Sequence, residues 1–184
     1  MSEINPGNLL ISHPFLKDPN FMRTVVYMCE VSEQGGIGFV LNRPFKQTLQ
    51  QIIEGIDGTD FTIYTGGPVQ PDTLHFIHRC PQIISGGIEL GEGIFWGGDF
   101  EQVLYLINTR QLQANDIRFF IGYSGWDKDQ LAEELLEDTT WITGYGNQQL
   151  VFSNNADAVW KQSLQNLGGR FAQMVNYPID PQLN

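Results

Sequence analysis

The chain has 184 residues and a formal net charge of −11, from 21 acidic and 10 basic side chains. Nucleic-acid affinity rests largely on Lys and Arg displacing counterions from phosphates; here the basic residues are scattered through an acidic chain, which argues against direct nucleic-acid binding. A chain of this length buries roughly 70% of the surface it exposes when unfolded, so one domain over residues 1–184 needs neither a disulfide nor a metal to hold it together.

Twenty glycines and 22 aromatic residues (twelve Phe, six Tyr, four Trp) favour strands joined by tight corners over a helical bundle. In chain order, Leu9-Leu10-Ile11 is a short apolar run that stops at His13-Pro14. Pro19-Asn20 marks a turn before Thr24 to Cys29, a β-branched and aromatic strand. Gly35-Gly36 turns the chain into Ile37 to Leu41, so the two runs read as an antiparallel hairpin. Their near-continuous hydrophobicity predicts strands covered on both faces.

Thr48 to Ile53 has Leu49, Ile52 and Ile53 at i, i+3 and i+4, the spacing of a short helix. Strand candidates bounded by Gly, Pro or Asp follow at Phe61 to Tyr64, Leu74 to His78, Ile83-Ile84, Ile88 to Leu90 and Ile94 to Trp96. Asp99 to Asn108 is a helix with a Phe100, Val103, Leu104, Ile107 stripe. Asp99 caps it, and Gln102 stands where a capping-box partner belongs. Arg118 to Tyr123 is a strand. Asp127, with Gln130 three residues on, is expected to open a second helix that faces Leu131 and Leu135 inward. A third helix covers Ala156 to Leu167, and Gly168-Gly169 ends it as a C-cap.

Several catalytic templates fail on inspection. The Gly36-Ile37-Gly38, Gly91-Glu92-Gly93 and Gly144-Tyr145-Gly146 starts lack the third glycine of a dinucleotide fingerprint. No P-loop, CxxC or HExxH occurs, so no cofactor or metal is expected. His75 and His78 are three apart in a strand and point to opposite faces, which argues against a shared ion. Ser124 follows a strand in Gly122-Tyr123-Ser124-Gly125-Trp126, where a nucleophile elbow would sit, but the spacing is G-x-S-G-x and no histidine follows position 78. The bland reading gives Gly122 and Gly125 to close packing and Trp126 to the space beneath the helix.

Asp127, Asp129, Glu133, Glu134, Glu137 and Asp138 make an acidic helix. Its early acids suit the helix dipole and the late ones do not; the helix reads as a solvated acidic face rather than a carboxylate catalytic pair, with the late acids also open to a basic partner. Cys29 and Cys80 read as buried, reduced thiols. The N-terminus has no basic and apolar signal regions, and no apolar run approaches the ~18 residues of a membrane span. The reading is cytoplasmic, with no membrane contact.

The chain resembles the AlgH/YqgE family in four ordered blocks. Asn8 to Pro14 with Asp18 to Val26 is similar to the family's opening block, and Gly38 to Pro44 to its "GLVLNRP". Gly66-Gly67-Pro68-Val69, followed by Leu74 to His78, is similar to its "GGPV" block. Gly122 to Trp126 with Gln130-Leu131 is similar to "GYxGWxxGQL". Two positions depart: Val31 stands where the family often has histidine, and Asp129 where it often has glycine. The resemblance implies an α+β bacterial fold, a mixed, mainly antiparallel sheet flanked by helices. Family members are labelled transcriptional regulators through a link to exopolysaccharide control, a label that implies no particular DNA-binding motif.

Arg23, Asn42 and Arg43 are polar residues at the edges of apolar strands, and Pro44 biases Arg43 toward extended backbone. Arginines so placed either hold an anion bidentately, pair with a residue such as Asp18, or tie down loops through carbonyls. With the backbone of Gly66, Gly67 and Pro68, and with His78, Ser124, Trp126 and Gln130, they form a candidate ligand cleft. The expected function is a regulatory or interaction protein that binds a small anionic ligand or a protein partner. The alternative is an enzyme with an unfamiliar Arg/Asn/His/Ser site, and the third reading is direct DNA recognition.

Overall fold

The computed structural model describes residues 4–57 and 60–179. The first strands are β1 (Asn8–Ser12), β2 (Val25–Ser32) and β3 (Gly35–Val40), antiparallel in turn. The expected hairpin is β2 with β3, and β2 is covered on both faces. Val25, Tyr27 and Cys29 enter one apolar cluster, while Val26 and Met28 enter another on the opposite side. The alternation of a strand explains this division.

Next come β4 (Pro44–Thr48), the short α1 (Leu49–Ile52), β5 (Thr62–Thr65), β6 (Val69–His78), β7 (Ile88–Gly91) and β8 (Ile94–Trp96). The expected helix after Thr48 is present, and Gln51 Oε1 accepts from the Thr48 N–H at 2.9 Å. Ile83-Ile84 is not a strand. Both amides bond back to the carbonyl of Cys80, which closes a turn and drops Ile84 into the core. The helix α2 (Phe100–Asn108) begins at Asp99, whose side chain accepts from Gln102 N–H at 3.1 Å. The Gln102 side chain completes no box; its Oε1 accepts from the amide and hydroxyl of Ser85 instead.

The longest strand, β9 (Ile117–Asp127), reaches four residues past its expected end. The helix expected from Asp127 starts later, as α3 (Gln130–Leu136). Pairing decides this: Gly35 to Gly38 of β3 lie opposite Asp127 to Ser124, so the sheet holds that segment extended. The chain ends in β10 (Trp141–Tyr145), α4 (Gln148–Val151), α5 (Ala156–Leu167), α6 (Gly169–Gln173) and a 3-10 turn over Met174–Asn176. Gly168, at φ 69, caps α5 as expected.

Ten strands of the described residues join in one sheet, ordered β10-β1-β2-β3-β9-β6-β8-β7, with β4 and β5 branching from β9. All the pairs are antiparallel except β5 with β9, so the sheet is mixed and mainly antiparallel, and the fold is α+β. Strand β9 stitches it together, pairing β3 with its C-terminal half and both β5 and β6 with its N-terminal half. Helix α5 packs on one face over Val159, Trp160 and Leu164; α3 covers the other through Leu131. No helix of the described residues is long and apolar enough to cross a membrane.

Candidate functional site

The polar residues that mark the blocks hold the molecule together. Asn42, just past β3, accepts from the Val25 N–H at 3.0 Å and donates to the Arg23 carbonyl at 2.9 Å. Arg43 Nη2 donates to the Met22 carbonyl at 2.8 Å. Arg23 Nη2 donates to the Tyr177 carbonyl at 2.5 Å, and its guanidinium lies 4.8 Å from the centre of the Trp160 ring. The pairing of an arginine with Asp18 does not occur; Asp18 accepts from the Asn20 amide, and Arg79–Asp116 is the one ion pair of the described residues. Both arginines tie loops to carbonyls. One atom is left over, the buried Arg23 Nε, which has no hydrogen-bond partner among the described residues.

Gly66 and Gly67 are needed because β9 passes against them. A Cβ on Gly66 would lie 2.3 Å from the Gly122 carbonyl oxygen, and one on Gly67 would lie 2.3 Å from the Ser124 nitrogen. The Gly66 N–H is not offered to a ligand, since it donates to the Ile121 carbonyl. Its carbonyl accepts from the Ser124 hydroxyl at 3.0 Å. Ser124 is fully buried within a strand, so it stands on no turn and forms no elbow. Pro68 beside them is exposed.

His75 and His78 do face opposite sides. His75 packs on Phe39 and Tyr123, whereas His78 packs on Phe76 and Phe95. Both ring nitrogens of His78 are engaged: Nδ1 accepts from the Cys80 amide at 3.2 Å, and Nε2 donates to the Gly97 carbonyl at 3.1 Å. That pattern is the neutral imidazole with its proton on Nε2. Burial holds its pKa below the ordinary value, against a smaller opposing effect of the Gly97 bond. Among the described residues no group of three His, Cys, Asp or Glu is placed to hold a metal ion. Cys29 and Cys80 are free and buried, and burial raises the pKa of each thiol.

Trp126 and Gln130 meet at a carboxylate. Glu134 Oε2 accepts from the indole N–H of Trp126 at 2.9 Å and of Trp141 at 2.7 Å, and Oε1 accepts from Gln130 Nε2 at 2.8 Å. Gln130 Oε1 also accepts from the Asp127 amide. Trp126 therefore fills the space beneath α3, on the face away from Arg23 and Trp160. The ten residues divide among four places: the Arg23–Asn42–Arg43 loop anchor, the Gly66–Ser124 crossing with Pro68, the buried His78 with its bonds to Cys80 and Gly97, and the Trp126–Gln130 contact. They do not converge on one cleft.

The cavity lies elsewhere. A groove of about 940 Å3 is lined by α3, β10 and α6, with contributions from His13, Val31 and the β2–β3 turn. Leu131, Leu135, Leu136 and Trp141 form its apolar side, Phe171 approaches from α6 and Met174 from the 3-10 turn after it. None of the ten residues lines it. Sequence reasoning missed it because β10 and α6 carry no strong periodic signal; the late acids of α3 were the one pointer. A second residue also escaped notice: Arg118, only 4% exposed, bonds the Val151 and Ser153 carbonyls and stacks 4.0 Å from the Tyr64 ring centre, which fastens α4 to the sheet.

The model of the AlgH-like family matches residues 9–172 of this sequence. The chain belongs to that family. The AlgH-like chain is 42% identical over 181 residues to a UPF0301 protein of Chlorobaculum tepidum, covering 98% of this chain and 96% of that one. A UPF0301 protein of Cytophaga hutchinsonii is 38% identical over 182 residues, with 98% and 100% covered. Among solved structures, the AlgH protein from Pseudomonas aeruginosa superposes with a TM-score of 0.71 at 27% identity, over 97% of this chain and 98% of that one. A Corynebacterium diphtheriae protein shares the fold with a TM-score of 0.77 at 17% identity, over 96% and 94%.

Both departures from the AlgH-like pattern have a place in the structure. Val31 lines the groove. Asp129 sits at φ 68, the left-handed region that glycine adopts freely, and asparagine and aspartate tolerate. Glycine is the residue this backbone favours there.

Proposed function

We propose that this AlgH-like chain works as an interaction protein, binding another protein in the groove between α3, β10 and α6. The observation that carries the reading is the apolar side of the groove, where Leu136 stays 64% exposed beside Leu131, Leu135 and Trp141. Leu131 and Trp141 are buried beneath it and Leu135 is half-buried, so Leu136 is the apolar side chain that a partner in the groove would cover. The acidic rim supports a protein over a small anion, which the carboxylates would repel. The enzyme reading finds less support, because Ser124 and His78 direct their polar atoms at backbone groups of the chain itself.

Site-specific photocrosslinking in cells tests the reading. A benzophenone side chain at Leu136 is expected to give discrete heavier adducts, and one at Tyr105, equally exposed on α2, is expected to give none. Adducts of equal yield from both positions, or from neither, overturn it.

A further inference from the structure

The groove has a charge pattern that its apolar side does not require. Glu33, Asp127, Asp129, Glu137 and Asp138 stand along its rim, and all five are exposed. Arg170 is the one Lys or Arg that faces them there. None of the five is in an ion pair, since Arg79–Asp116 is the sole one of the described residues. They lie on three separate segments, the β2–β3 turn, the end of β9 with the start of α3, and the end of α3. The last pair, Glu137 and Asp138, follows the C-terminal end of α3, where the helix dipole disfavours negative charge; the Thr140 hydroxyl donates to Glu137 Oε2 at 2.7 Å, but no cation pairs with either. An arrangement that repels itself this way is relieved by a cationic surface brought against it.

We infer that the groove's occupant is a lysine- or arginine-rich segment of another protein, with apolar residues interleaved among the basic ones. This inference rests on the interaction reading above and adds its charge. The apolar residues cover Leu136 and the exposed part of Leu135, while the basic ones meet carboxylates on three segments. Complementary charge of this kind sets association rate and selectivity, and the apolar contact supplies retention.

Fluorescence anisotropy with three labelled probe peptides of equal length tests it: alternating Lys-Leu, Ser-Leu and Glu-Leu. The Lys-Leu probe is expected to bind, to weaken about tenfold in the triple variant Asp127→Asn/Glu137→Gln/Asp138→Asn, and to weaken on raising salt. Leu136→Ser is expected to weaken it as well. A control triple far from the groove, Glu54→Gln/Asp72→Asn/Glu101→Gln, is expected to leave it unchanged. Equal weakening by the control triple means diffuse attraction to an acidic protein and overturns the inference. Equal binding of Lys-Leu and Ser-Leu probes, both lost in Leu136→Ser, overturns the basic partner while leaving the groove as an interaction site. Absence of binding by every probe, together with absence of crosslinks from Leu136, overturns both readings. Sedimentation that shows a dimer dissolved by Leu136→Ser names a second copy as the occupant, and it overturns the basic partner too.

Discussion

The Ser124 hydroxyl donates to the carbonyl oxygen of Gly66 at 3.0 Å, joining residues 58 apart in sequence. Around this bond β9 crosses the Gly66-Gly67 segment at backbone contact, with no room for a side chain. Ser124→Ala removes one internal hydrogen bond and leaves a buried acceptor that also receives the Val40 amide. The expected cost is about 1 kcal/mol. Gly67→Ala must push the segment between β5 and β6 away from the β9 backbone at Tyr123 and Ser124 and is expected to cost more than about 3 kcal/mol. Urea unfolding measures both. A Gly67→Ala protein as stable as the parent contradicts the close crossing.

Glu134 joins two tryptophans and Gln130 through one carboxylate, and so docks α3 on β9 and β10. Glu134→Ala strands two indole donors that are otherwise nearly buried. A loss of about 2–3 kcal/mol is expected, with a shift in tryptophan fluorescence as the indoles lose their partner. Gln130→Ala, which removes two exposed bonds, to Glu134 and from the Asp127 amide, and strands no buried donor, is expected to cost under about 1 kcal/mol. Equal effects of the two changes contradict the central role of the carboxylate.

Protonation of His78 sets a pH dependence. Its pKa is lowered in the folded protein by burial, so the unfolded chain binds more protons and stability rises with pH. Stability is therefore full above the unfolded histidine value of about 6.5 and falls as pH drops below it. His75 and His13, also lowered by burial, act in the same direction. Each histidine contributes a slope of at most about 1.4 kcal/mol per pH unit. Chemical denaturation between pH 7.5 and 5 is expected to show the loss, and His78→Gln is expected to flatten it in part. An unaltered slope in that variant removes His78 as a source.

Asp129 is held at φ 68 at the start of α3. Asp129→Gly relieves backbone strain of about 1 kcal/mol, offset in part by the added freedom of the unfolded chain. Asp129→Ala keeps the strain and loses the tolerance of aspartate for this conformation. The glycine variant is expected to unfold at higher urea than the alanine variant. Matching midpoints are incompatible with a left-handed residue there.

Much of the core was legible before folding. The runs Thr24 to Cys29 and Ile37 to Leu41 are so uniformly apolar that only a hairpin covered on both sides accommodates them, and the Asp99 and Ala156 helices announce themselves by periodicity and caps. Short apolar pairs were ambiguous. Ile83-Ile84 reads equally as strand or as turn, because two residues carry no period, and hydrogen bonds back to Cys80 settled it. Polar residues were harder still, since Arg23, Asn42 and Arg43 have the same chemistry whether they hold a ligand or a loop.

The sequence by itself determined the family, the α+β character and the acidic field, because these follow from local pattern, ordered motifs and summed charge. Only the tertiary structure decided that Ser124 lies inside β9, that Arg23 and Trp126 stand on opposite faces, and that β10 and α6 bring a groove to the acids of α3. The reason is physical. Those relationships depend on which strands pair and which face each helix covers, and pairing is set by contacts between residues far apart in the chain, where spacing along the sequence carries no information.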